Sequence, residues 1–168
     1  MRLTLGLFVV FAAVPATAGK IGFLNGDRVV TTVQEGKSLL QDLDSWAKPR
    51  RDQLAQLQEQ VAALNQRAAA QRATASADAL AQLERELVQS QRELEDKARA
   101  FNRELTARRD KIIADVGAKI GTLATEYAEA NGFDVIFLLG EQPVAYFATS
   151  LEITDDIIRL YDERHPVN

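Results

Sequence analysis

From Arg50 to Val116 the chain runs for 67 residues without a Gly or a Pro. Turns lean on those two residues, and strands average only about 5–6 residues between turns. A stretch this long without them predicts helix, well beyond the usual dozen or so residues. Leu54, Leu57, Val61 and Leu64 alternate spacings of three and four, the seam of a coiled coil. The seam fades through Ala68, Gln71 and Ala75, then resumes at Leu80, Leu83 and Leu87. Beyond it the period changes. Leu83, Leu94, Leu105, Val116 and Tyr127 are spaced by 11, as are Phe101, Ile112 and Leu123. Eleven residues over three turns keep an apolar stripe nearly straight, and its large members are read as core between paired helices.

A single helix from about Asp78 to Ala130 would measure ~80 Å at 1.5 Å per residue, too long for an ordinary globule of this size. Residues 65–82, NQRAAAQRATASADALAQ, contain one large aliphatic side chain, Leu80. A break near Thr74-Ala75-Ser76 lets two helices fold back as an antiparallel hairpin, with its tip near residues 73–77. Ser76 or Asp78 can cap the second helix, and the alanines let the helices approach closely. One uninterrupted helix is the alternative.

The flanks differ. Lys20 to Leu24 is a short apolar run closed by Asn25-Gly26-Asp27, a strand followed by a turn. A helical pattern starts near Arg28, with Gly36 and Pro49 expected to interrupt it. Asn131-Gly132 stops the long helix. Phe133–Leu139 reads as a strand, Gly140–Pro143 as a turn and Val144–Phe147 as a further strand. Thr154 then supplies a capping hydroxyl for a last helix, with Asp155 and Asp156 against its positive dipole end. The fold class expected is α+β, mainly α. A helical arm over 50–116, its base extending to about 130, projects from a β-rich body of 19–49 and 117–168. Three short strands are marginal alone and leave open edges. The body is therefore expected to be completed by oligomerisation, through Ile21, Phe23, Val135, Phe137, Val144 and Tyr146.

The N-terminus reads as a leader. Arg2 is followed by an apolar run from Leu3 to Val14 and by Ala16-Thr17-Ala18, a small-x-small cleavage pattern. A membrane anchor or a buried strand is the alternative, but the run is short for a bilayer span. Cleavage after Ala18 would begin the mature protein at Gly19 and place it in a bacterial periplasm. The formal net charge of −4 argues against nucleic acid as a partner. Residues 50–116 hold 12 Lys/Arg against 11 Asp/Glu, and 60–77 carry Arg67 and Arg72 with no acid.

Chemistry finds little purchase. The chain has no Cys and one His, His165 in the C-terminal tail, so nucleophilic triads and common zinc sites lack their parts. No phosphate-binding loop is present. The acids near Glu84 and Glu93 alternate with Arg85, Arg92, Lys97 and Arg99, as on a solvated helix face. No enzyme, cofactor or metal is expected. Trp46 is read as structural, at the base of the arm.

KIGFLNGDRVV (20–30), the Gly/Pro-free hairpin and GFDVIFLLGEQPVAYFATSLEITDDIIRLYDE (132–163) together resemble the Skp/OmpH-like periplasmic chaperones. The resemblance covers the whole mature chain, most specifically Asp134-Val135, Val144-Ala145-Tyr146 and Glu152-Ile153-Thr154-Asp155. It implies a jellyfish-like homotrimer whose arms surround a cavity and hold unfolded outer-membrane β-barrel proteins without ATP. Arg67, Arg72, Ala98 and Phe101 are then the candidates for client contact. The best-known relatives are basic and this chain is acidic, so a lipopolysaccharide site is not carried over. A structural coiled-coil adaptor of the cell envelope, with a fixed folded partner, is the competing reading.

Overall fold

The computed structural model describes residues 19–140 and 143–167. The expected leader over 1–18, and Glu141 and Gln142 of the expected turn, lie outside the described residues. The elements are β1 (Ile21–Leu24), α1 (Gly26–Thr32), α2 (Gln34–Gln71), α3 (Ala77–Asn131), β2 (Val135–Leu138), a 3-10 turn (Thr149–Leu151) and α4 (Thr154–Arg164).

Two helices dominate and pack along each other. α2 has 38 residues and α3 has 55, or ~57 and ~82 Å at 1.5 Å per residue. They form the hairpin rather than one uninterrupted rod, with the reversal at residues 72–76. Ser76, not Asp78, caps α3: its hydroxyl accepts from Ala79 N–H at 3.3 Å. Gly132 closes α3 in the left-handed conformation (φ 68°, ψ 37°) and returns its N–H to Ala128 O.

The break in the first helical segment falls at Val33, not at Gly36 or Pro49. Val33 is extended (φ −61°, ψ 150°) and separates α1 from α2. Gly36 permits this bend instead of interrupting the helix. A Cβ there would lie 1.8 Å from Val30 O, so only glycine lets the two helices approach so closely. Pro49 stays inside α2. It removes one hydrogen bond, to Ser45 C=O, but both residues are exposed and water can satisfy the carbonyl.

β1 and β2 pair in parallel, with Ile21 opposite Val135 and Phe23 opposite Phe137. The third strand expected at Val144–Phe147 does not form; that segment belongs to no helix or strand. The other edge of β1 is met by Glu152, which bridges Phe23, and Ile153 N–H donates to Phe23 O at 2.9 Å. The reason lies in how α4 docks. Thr154 does not cap its own helix; its hydroxyl, fully buried, accepts from Asn25 N–H at 3.0 Å. Ile153, Ile157 and Tyr161 then bury beside Leu24, Val29, Val33 and Val116, which brings residues 152–154 against β1. Burial of such side chains, worth roughly 1.5–3 kcal/mol each, outweighs one strand's ladder.

The core is confined to this base. Between residues 48 and 115 one side chain, Leu83, is buried. The 11-residue stripe does face inward: Leu94, Leu105, Ile112 and Tyr127 are half-buried, and Val116 and Leu123 are buried. Two helices without a third layer can do no more. No described helix is long and apolar enough to cross a membrane.

Candidate functional site

Two surfaces stand out, the arm and the open side of the sheet. Arg67 and Arg72 are exposed at the outer end of the arm, and Ala98 is half-buried. Phe101 is half-buried as well, but it is engaged across the hairpin. Its ring stacks on Trp46 with centroids 5.9 Å apart and planes at 16°. The guanidinium groups of Arg50 and Arg108 lie 4.2 and 4.4 Å from the Trp46 ring. Trp46 therefore joins α2 to α3, a contact of the kind worth about 0.5–1.5 kcal/mol for the aromatic pair.

Strand alternation puts Ile21, Phe23, Val135 and Phe137 on one face of the sheet. Phe23 is stacked between Phe137 (5.6 Å) and Phe147 (4.6 Å). The rest of the face is partly exposed: Ile21, Val135 and Phe137 are 37–40% exposed, and Tyr146 is 85% exposed. Val144 is half-buried. Among the described residues no further strand pairs with the outer edge of β2. Val135 and Leu139 turn their N–H groups to β1, so in a parallel ladder the intervening Ile136 and Leu138 present theirs outward. Beside that edge an apolar groove of about 690 Å³ runs along α3, lined by Ile113, Gly117, Ile120, Gly121 and Leu138. An exposed apolar face next to an unpaired edge is a surface for another chain.

The perturbed titratable groups are structural. Lys119 donates to both Glu35 oxygens at 2.7 and 2.8 Å, and Tyr161 OH to Oε2 at 2.7 Å. The Lys119 bond, with help from Tyr161, holds the Glu35 carboxyl below its ordinary range against the opposing effect of burial. Burial, then the bond to Glu35, pushes the Tyr161 phenol far up. Tyr127 is raised likewise by burial and by its bond to Asp156 at 2.9 Å. Each of these groups ties one helix to another rather than facing a cleft. His165, expected as a loose tail residue, has its ring 4.7 Å from that of Tyr161. Among the described residues no cluster of His, Cys, Asp or Glu could hold a metal. The Glu35–Lys119–Tyr161 node and the Thr154 hydroxyl escape a reading of the sequence, because their partners lie 84 to 129 residues away.

The family model described as "Outer membrane protein (OmpH-like)" matches residues 20–161, which takes in β1, the entire hairpin and most of α4. The chain belongs to that family. The OmpH-like match thus spans arm and base together. The crystal structure of a protein from Caulobacter crescentus CB15, described as a candidate outer membrane chaperone (OmpH-like), has the same fold. Its TM-score is 0.66 at 18% identity, over 96% of this chain and 94% of that one. No curated protein matches the sequence.

Proposed function

We propose that this OmpH-like protein is an ATP-independent holdase of the periplasm, one that binds unfolded outer-membrane β-barrel proteins and keeps them from aggregating before insertion. The observation that carries the reading is the arm: nearly 70 residues of paired helix around one buried side chain. Such an arm has no interior to form a catalytic cleft. What it offers is a long, solvated wall with small and half-exposed apolar groups, suited to many weak contacts with an unfolded chain. Unfolded β-barrel segments expose alternating apolar residues and unpaired backbone groups, so a holdase need only keep them apart. The description of the Caulobacter neighbour as a candidate chaperone supports the same reading.

In this reading the leader is removed after Ala18. The base, from 19–49 and 117–168, assembles as a homotrimer through the exposed sheet face of Ile21, Phe23, Val135 and Phe137, with Val144 and Tyr146 beside it. Arg67 and Arg72 at the tip, and Ala98 and Phe101 along the arm over 50–116, meet the client. Trp46 covers one side of Phe101. The test is aggregation of a urea-unfolded outer-membrane β-barrel diluted into buffer without nucleotide. At near-equal molar ratio of oligomer to client, turbidity is expected to be suppressed. Failure with several such clients, alongside tight binding to one folded envelope protein, would replace the holdase by a structural adaptor.

A further inference from the structure

Lys20, exposed at the head of β1, is held through its N–H, its C=O and its Nζ. Its N–H donates to Asp134 Oδ2 at 2.6 Å, and its C=O accepts from Asp134 N–H at 2.8 Å. Its Nζ is directed away from that carboxylate, onto Asn131 O at 2.9 Å and 4.0 Å over the Phe133 ring. One residue earlier, Gly19 lies against the same carboxylate. A Cβ on Gly19 would stand 3.1 Å from Asp134 Oδ2 and 3.4 Å from its Cγ. Among the described residues no Lys or Arg side chain pairs with Asp134; the ion pairs of the base involve Arg28, Lys119, Arg159 and Arg164. A solvent-exposed carboxylate thus faces the first two residues of the described chain and, among the described residues, accepts one amide N–H.

We infer that Asp134 is the seat for the α-ammonium group created when the Ala18–Gly19 bond is cut. The inference rests on the removal of the leader proposed above. Hydrolysis adds one water across that peptide: Ala18 leaves with the new carboxylate, and the Gly19 nitrogen takes up protons to become an ammonium at neutral pH. A neutral amide nitrogen becomes a cation beside an aspartate. The pair then ties the head of β1 to the residue preceding β2, so that maturation adds a charge-assisted contact to the parallel sheet. Glycine suits the position because no Cβ intervenes between backbone and carboxylate. Of the charged groups close by, Lys20 is already engaged, and Glu129 lines the same groove as Asp134.

The experiment uses the exported, processed protein. Its intact mass first establishes whether the chain begins at Gly19; a different start would remove the processing step without bearing on the holdase reading. The pKa of the terminal amine is then measured by NMR after isotopic labelling of the amine. It is expected above the roughly 7.7–8.0 of a free terminus. The value should return to that range in Asp134→Asn, whose amide oxygen can still accept the Lys20 N–H. It should return likewise in a mature chain carrying one extra N-terminal alanine, which moves the amine off the carboxylate. The alanine-extended chain decides the matter if Asp134→Asn fails to fold. An ordinary amine pKa in the wild-type protein, or one unchanged in the folded variants, overturns the assignment.

Discussion

Glu35 and Lys119 meet with both carboxylate oxygens 2.7 and 2.8 Å from one ammonium, although 84 residues separate them. One opens α2, the other sits on the last third of α3, and Tyr161 of α4 completes the contact at 2.7 Å. The node fixes how the two arms of the hairpin leave the base, and it does so with a single acid. Glu35→Gln should therefore destabilise the fold by about 1–2 kcal/mol, the lower part of the range for charge-assisted bonds because Lys119 is partly exposed. A carboxyl held below its ordinary value stabilises the fold above that value and loses its contribution as pH falls through the lowered one. The gap between wild type and Glu35→Gln should be complete above about pH 4.5 and shrink below it. Urea melts from pH 3 to pH 7 measure it, and a pH-independent gap would refute the ionic role.

Of the described glycines, Gly36 has the least room for a side chain. An added methyl would have to push Val30 O away from 1.8 Å, and a carbonyl in a helix cannot rotate aside. Gly36→Ala should cost about 3 kcal/mol or more, at or above the upper part of the range for overpacking, despite the better helix propensity of alanine. A stability at or above wild type in urea would show that α1 and α2 do not meet as described.

Leu83 is the one buried side chain of the arm between residues 48 and 115. Leu83→Ala should remove about 2–3 kcal/mol of local stability. The base core should be untouched, since Leu24, Ile157 and Tyr161 lie at the opposite end of the hairpin. Hydrogen exchange should quicken in the outer arm and stay unchanged in the base. Uniform acceleration would mean that arm and base unfold as one unit.

Phe137 projects 40% exposed from the sheet, stacked on Phe23. If that face joins the subunits, Phe137→Asp buries an unpaired carboxylate at the interface and should convert an oligomer into monomers that keep their helical circular dichroism. Sedimentation gives the mass. A trimer that survives the substitution excludes this face as the interface.

The elements that were legible in advance are the ones whose signals are local. Ser76 and Gly132 mark the ends of α3 because a cap acts on its own helix within a few residues. Gly36 misled for the same reason. By propensity it breaks a helix, but the crowding that makes it necessary comes from Val30 folding back through Val33. Thr154 looked like a cap and instead serves Asn25, 129 residues earlier. Phe101, legible both as a member of the core stripe and as a contact candidate, stacks on Trp46, a partner 55 residues away that no local pattern announces.

The amino-acid sequence alone determined that the arm is built of long helix, since 67 residues without Gly or Pro and an 11-residue apolar period favour no other regular conformation. Tertiary structure alone decided which segment meets the free edge of β1. Val144–Phe147 has the strand-like pattern, yet the position goes to Glu152. Helix periodicity is written in residues a turn apart, whereas an edge goes to whichever segment the docking of α4 brings within hydrogen-bonding reach.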